Sequence, residues 1–564
     1  MKNKILFIIP ILALILAACQ PAQSSQTQSS VAQATSFNQN VSSETKSSSI
    51  QAPSSSASSS NVVSSKTSSS SSSSQAQSSS ASSSNAASSS QIQSSQAPSS
   101  NPVSSSETPS SNPVSSSSVP EEDVVVNIEL FALNDMHGNV EDSSTGLGIS
   151  KTSTLLKTYP NNVNNTLYIS QGDMWQGSAA SNLTRGQFVN DWMNQLHFAS
   201  MTMGNHEFDW GTEYVRTNSQ SANFPYLGIN IFDRSTNKRV DYLDASTIIN
   251  KNGAKIGIIG AIGDCYNSIS ASYVQDVYFK VGDELTNLVK NEAIRLKSEE
   301  KCDFVIYSLH EDDQNYDIEL SNYVDLVLEG HTHKNYVRTD ARGIYHIQSA
   351  GYNKTINYIS IDINTTKDTF VVNKTKSIYT NDYSYLDKDS EAESLFTKYA
   401  SIISSSNEPI GYNSQYRSST EIKQLVADLY LEYGMSKWSA NYDIYLGGGF
   451  ISTRSPYNLY EGYITYADLV EILPFDNDLV LCSISGYDLN YKFVNTSNSN
   501  YYISLSDYGR ANSYINFSDT YYVIVDTYTS DYAANNLTVI ERYTTGKFYA
   551  RDMLANYIAA GNFE

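Results

Sequence analysis

Six times between residues 124 and 333, an apolar run stops on an acid, an amide or an imidazole. "VVVNIELFALND" stops at Asn134 and Asp135, "TLYISQGD" at Asp173, and "ASMTMGNHEFD" runs into Asn205 and His206. "KIGIIGAIGD" stops at Asp264, "CDFVIYSLHEDD" reaches His310, and "VDLVLEGHTH" reaches His331 and His333. Runs this long, rich in Val, Ile and Tyr, read as buried strands. Helical patterns lie between some of them, such as "DELTNLVKNEAIRLKSEE" over 283–300. Alternating strand and helix predicts an α/β domain, whose active groups gather at the carboxyl ends of the strands.

The chain has 564 residues, enough for more than one domain. The first domain is expected over residues 121–385. Around Ser390 the pattern changes: "SEAESLFTKYASII" opens with Ser390-x-x-Glu393, a capping box, and continues with Leu395, Tyr399 and Ile402 at helical spacing. This predicts a single linker helix over 386–405, followed by a Tyr-rich domain of mixed helix and strand over 406–564.

The first 120 residues read differently. "MKNKILFIIPILALILAAC" has a basic start, an apolar run from Ile5 to Leu16 and small residues before Cys19. That is a secretory signal over residues 1–19, too short for a comfortable membrane span. Its "LAAC" ending resembles the bacterial lipobox, which implies cleavage before Cys19 and a lipid on that thiol. Residues 20–120 are nearly all Ser, Ala, Gln and Asn. They hold almost nothing that could form a core, and read as a disordered tether through a cell wall, or as a glycosylated stalk of the same mechanical effect. Only Cys265, Cys302 and Cys482 follow, so no disulfide framework is expected.

Charge narrows the partners. The chain carries 36 basic and 58 acidic residues, and four lysines and two glutamates of these precede residue 121, leaving the remainder near −24. Such a surface excludes a nucleic-acid polymer as partner but accepts small anions where metal or Arg reverses the field. Five of the seven histidines lie in the strand-end segments; His197 and His346 do not, and read as solvated or packed. Asp135 and His137, spaced by two on an extended segment, can grip one ion, and His331 and His333 repeat that spacing. Asp173 can bridge two ions, with Asn205 and His310 as further ligands. Mixed Asp, Asn and His donors suit Zn, Mn, Fe, Co or Ni rather than Ca or an iron–sulfur cluster.

The ordered series Asp-x-His, Gly-Asp, Gly-Asn-His-Glu, His and Gly-His-x-His resembles the two-metal phosphoesterases, and within them the 5′-nucleotidase family. The resemblance runs over about residues 125–564. It implies a four-layer α/β/β/α metallophosphoesterase domain, the linker helix and an α+β substrate-binding domain. It assigns Asp135, His137 and His333 to one divalent metal and Asn205, His310 and His331 to a second, with Asp173 bridging. It makes His206 a catalytic residue facing the phosphate, paired with Asp209.

The second domain resembles the family less closely. Gly447, Gly448 and Gly449 read as a turn that brings backbone close to ligand, and Arg454 resembles the Arg of the family's Gly-rich motif, displaced by three extra residues and able to fork onto a phosphate or carboxylate. "LPFDND" carries over Phe475 and Asn477 as base-stacking and base-contacting residues, and Tyr528 falls at the second stacking position. The family's ribose-contacting Asp is Ala534 here, and Arg417 is the nearby candidate for an upstream Arg. The expected activity is therefore metal-dependent hydrolysis of an extracellular nucleotide by a lipid-anchored enzyme. The alternatives are a cyclic-nucleotide phosphodiesterase or UDP-sugar or sugar-phosphate hydrolase, and a non-catalytic surface binding protein.

Overall fold

The computed structural model describes residues 122–563, except 145, 313, 315, 455–457 and 544–548. The signal segment, Cys19 and the Ser-rich stretch lie outside the described residues.

All six expected strands form. Val125–Leu133 heads a parallel run through Thr166–Ser170, Ser200–Thr202 and Tyr226–Leu227. Thr355–Asn364 and Thr369–Tyr379 extend its other side antiparallel, giving a six-stranded sheet. A second six-stranded sheet holds Ala254–Ile262, Phe304–His310, Leu326–Glu329 and Tyr345–Gln348 in parallel.

The apolar runs are continuous because both faces of each sheet are covered. Ile128, Leu130 and Ala132 point into a core shared with Ile256, Ile258, Ile306 and Leu328 of the second sheet. Phe131 and Leu133, on the opposite face, pack with Leu155, Leu156 and Trp192 from the helices Ile149–Thr158 and Gln187–Leu196. On the far side, Ile259 and Tyr307 meet Leu285, Val289 and Leu296 of the helix Asp283–Ser298. The layers are thus α/β/β/α, and each buried aliphatic side chain of this size stabilises by roughly 1.5–3 kcal/mol.

The linker differs from expectation. Instead of one helix, Ser390–Lys398 and Ala400–Ser406 are two, broken at Tyr399, whose ψ is 12°. The cap is Asp389, whose carboxylate accepts from the Glu391 and Ala392 amides, rather than Ser390. Ser390 is already helical, and the Glu393 carboxylate is taken by the Ser150 hydroxyl.

The C-terminal half is built on the helix Ser419–Trp438, opened by a Ser418–Glu421 capping box. It packs Ile422, Val426 and Leu429 against Leu479, Leu481 and Ile524 of a five-stranded mixed sheet. Cys265, Cys302 and Cys482 are buried free thiols, as the cysteine count predicts.

Candidate active site

The strand ends converge through unusual backbone. Asp135, His137, Asp173, His331 and His333 all have φ between 49° and 68°. A non-glycine residue there costs roughly 1–3 kcal/mol, strain that clusters at functional sites. Two glycines let the loops close. A Cβ on Gly172 would lie 2.6 Å from the Gly204 nitrogen and 2.8 Å from His310 Nδ1, and one on Gly204 would overlap Asp173 Oδ1.

The seven expected ligands form two adjoining clusters. In one, Asp135 Oδ1 lies 3.2 Å from His333 Nε2 and 3.9 Å from His137 Nε2. In the other, Asn205 Oδ1 lies 3.3 Å from His310 Nε2 and 3.1 Å from His331 Nδ1. Asp173 Oδ2 stands between them, 3.2 Å from His310 Nε2 and 4.0 Å from His137 Nε2.

This donor set fits divalent metal ions. His137 Nε2 and His333 Nε2 are 3.0 Å apart, and Asp135 Oδ1 is buried without a hydrogen-bond partner. Two imidazole nitrogens and a carboxylate oxygen aimed at one point are a cation's coordination shell. Burial, then His333, pushes the His137 imidazole well below its ordinary pKa, and burial, then His310, lowers His331 to about 4. Both are therefore neutral, with lone pairs to give. Burial opposes a charge on His310 as well, but Asp173 raises it to about 10, so metal binding at His310 displaces a proton.

Several supporting residues carry no expectation from sequence. Glu207 accepts from the backbone amides of Asp173, Met174 and Gly204, each at 2.8 Å, tying the two loops together. Burial raises its carboxyl to about 7, while those donors favour the carboxylate. Asn134 donates to Asp135 Oδ2 at 2.6 Å and spans to Ser349. The carbonyls of Gln176 and Gln171 face His137 Nδ1 and His310 Nδ1 at 3.0 and 2.6 Å, which turns the opposite ring nitrogen toward the metal position. The signal for Glu207 was its place in the quoted "GNHE"; the carbonyls leave no trace in side-chain identity.

His206 faces elsewhere. Its Nδ1 lies 2.8 Å from Asp209 Oδ2, and its Nε2 lies 3.0 Å from Arg454 Nη2, a residue of the C-terminal half. Burial disfavours the imidazolium and Asp209 outweighs it, raising the pKa, while Arg454 pulls the other way. A guanidinium only donates, so this contact requires a lone pair on Nε2 and the proton on Nδ1. Phe475 lies beside both, its ring 6.1 Å from His206 and 5.5 Å from the Arg454 guanidinium carbon.

Other expected substrate residues divide. Asn477 is held by Asp526, which accepts its amide at 3.1 Å. Tyr528 packs on Phe450 at 5.4 Å. Gly448 and Gly449 are not in a turn: they lie inside the strand Ile444–Phe450. Their open sides face the Tyr502 carbonyl and the Thr529 side chain, so the close approach they permit is to this chain itself. Arg417 is likewise used internally, stacked 3.8 Å from the Phe563 ring centroid and donating to Asn413. His346 is buried against Glu329 and His197 ends a helix, as the packed and solvated readings expect.

Residues 129–335 match the calcineurin-like phosphoesterase family, and residues 402–530 match the 5′-nucleotidase C-terminal domain. The chain is 24% identical over 378 residues to an apyrase of Tabanus yao, covering 61% of this chain and 66% of that protein. It is 26% identical over 417 residues to endonuclease YhcR of Bacillus subtilis, covering 64% of this chain and 32% of that protein. The chain thus spans just under two thirds of the first relative's length and about a third of the second's. A 5′-nucleotidase precursor from Thermus thermophilus shares the fold, with a TM-score of 0.60 at 17% identity over 77% of this chain and 96% of that one.

Proposed function

The chain belongs to the calcineurin-like phosphoesterases that carry a 5′-nucleotidase C-terminal domain, and on that premise we propose that it hydrolyses phosphate esters of extracellular nucleotides, releasing nucleoside and phosphate. The observation that carries this reading is the meeting of Arg454 and Phe475 with His206, beside the two clusters of candidate metal ligands. An anion-binding fork, an aromatic face and a proton-handling imidazole then surround one small volume.

In this reading Asp135, His137 and His333 hold one divalent ion and Asn205, His310 and His331 a second, with Asp173 shared. Bound ions of this kind supply Lewis-acid polarisation and charge neutralisation. The remaining work falls to the chain. Arg454 releases His206 and forks onto the incoming phosphate. Freed of Arg454, His206 takes up a proton on Nε2, which Asp209 at Nδ1 favours; it then stabilises the charge that develops on the phosphoryl oxygens and passes that proton to the leaving oxygen. Phe475 stacks the base, and Asn477, oriented by Asp526, meets its edge. The reaction needs mostly positioning and electrostatics, which this arrangement supplies. The "LAAC" ending and the Ser-rich stretch support placement outside the cell on a lipid anchor at Cys19.

A second reading, a cyclic-nucleotide phosphodiesterase or UDP-sugar hydrolase, is favoured by Ala534 standing where a ribose-contacting carboxylate is expected. Phosphate release by the purified protein, loaded with Mn or Co, tests both against AMP, 2′,3′-cyclic AMP, UDP-glucose and a base-free ester. Turnover of AMP above the others is the expected result. Turnover of the base-free ester alone overturns the nucleotide reading, and no turnover of any overturns the enzymatic one.

A further inference from the structure

Asp476 follows Phe475, is only 6% exposed, and is gripped from both halves of the molecule. Arg551 of the C-terminal half reaches its Oδ1, and Arg185 of the catalytic half pairs with its Oδ2 at 2.6 Å. Tyr273, also of the catalytic half, donates its hydroxyl to the Asp476 carbonyl. Arg185 is set for this reach. Its backbone is left-handed at φ 53°, and its guanidinium lies over Trp210 at 5.4 Å, four residues beyond His206.

Asp531, three residues after Tyr528, repeats the arrangement. Its Oδ1 pairs with Arg542 of its own half at 2.6 Å. Its Oδ2 accepts from the Ser270 hydroxyl at 2.8 Å and the Ser272 amide at 2.9 Å, both of the catalytic half. Each aspartate therefore stands beside a candidate base-stacking ring, neutralised by an Arg of its own half and clasped by donors of the other.

That doubling matters energetically. A carboxylate partnered only across the interface would lose its cation whenever the halves parted. Here Arg551 and Arg542 stay with their aspartates, and Arg185 keeps its aromatic neighbours, so separation leaves no orphaned charge. Contacts of this kind can close and open repeatedly.

We propose that Asp476 and Asp531 are positioning residues that clamp the Phe475 and Tyr528 segments onto the catalytic half, through Arg185 and the Ser270–Ser272 turn. The clamp fixes the span from the base-stacking rings to His206, and so the length of substrate accepted. The substrate part rests on the proposed function; the clamp itself does not.

The test is the double variant Arg185→Gln, Ser270→Ala in the full chain, which leaves both internal Asp–Arg pairs in place. Amide hydrogen exchange over 268–274 and 476–478 is expected to speed up about tenfold, reporting weaker docking. KM for AMP is expected to rise about tenfold, while kcat/KM for p-nitrophenyl phosphate falls less than about threefold. Restoring Arg185 as Lys recovers part of both effects. Wild-type exchange rates in the double variant overturn the clamp. Equal losses for both esters overturn its role in setting substrate length. If the unaltered protein hydrolyses neither ester, the functional reading fails while the exchange data still decide the clamp.

Discussion

Asn205 and His206 are neighbours in the chain and serve different partners. The Asn205 amide oxygen sits between His310 and His331, whereas His206 lies between Asp209 and Arg454. Asn205→Ala removes a donor from one cluster, so metal per chain and phosphate release should fall together. His206→Ala removes no donor, so metal content should stay near wild type while kcat falls about 10²–10⁴-fold. Elemental analysis beside turnover checks both, and a His206→Ala protein stripped of metal contradicts the split. Glu207→Gln makes a different prediction. Three amide donors surround an acceptor-only group, and the NH2 of Gln faces at least one of them without a bond. The cost is about 1–3 kcal/mol, read as a lower Tm of the metal-free protein in chelator. Asn205, His206 and Asp209 were legible because adjacent side chains spell a motif. Glu207 stood in the same motif without a role, because its partners are backbone amides of residues 173, 174 and 204, and amides carry no sequence.

Among elements, the strands were the most legible part. An apolar run ending in an acid or imidazole reports a buried strand in all six cases and the end that bears the site in five; the strand Ala254–Ile262 ends at Asp264, which is exposed in the short helix Asp264–Ser268 and joins neither cluster. What the runs do not encode is the turn that follows. Five candidate ligands adopt left-handed backbone, and Gly172 supplies the space in which they close. Gly172→Ala meets the Gly204 nitrogen and His310 Nδ1, while Gly253, at a similar φ of 96°, has nothing within 4 Å of its missing Cβ. Both changes to Ala pay the left-handed penalty of about 1–2 kcal/mol. Only Gly172→Ala should also lower metal affinity, by about tenfold or more, with circular dichroism unchanged; a metal titration of the two variants side by side checks this. The glycines of 447–449 were misread for the converse reason. A Gly-rich stretch reports permissive backbone but not what fills the space, and here Leu431, Tyr502 and Thr529 fill it. The linker was misread because Asp389 caps one residue earlier than the Ser-x-x-Glu pattern suggests, and helical spacing continues across the break at Tyr399.

At the scale of the whole molecule, the contacts between the halves were illegible, since they join single residues hundreds of positions apart. One of them gives docking a pH dependence. Glu471 approaches the amide of Ala179, the first residue of the helix Ala179–Leu183, at 3.5 Å, beside the apolar contact of Ala179 with Ala467 and Val470. Burial, with help from Asp468 and Glu141 and against the Ala179 amide, raises its carboxyl from 4.5 to about 7. If the halves part, Glu471 meets water and returns toward 4.5. Between these values the docked form holds a proton that the parted form has lost, so docking is strongest at the acid end and weakens as pH rises toward 7. His206 works against this, since protonating it on the acid side repels Arg454 across the same interface. Glu471→Gln separates the two effects. Gln accepts from the Ala179 amide and mimics the protonated acid, so the variant keeps the His206 contribution and loses the other. Amide exchange over 176–183 should match wild type near pH 5. Near pH 8 it should be slower in the variant by about tenfold, and equal rates there would mean that Glu471 loses its proton without loosening the interface.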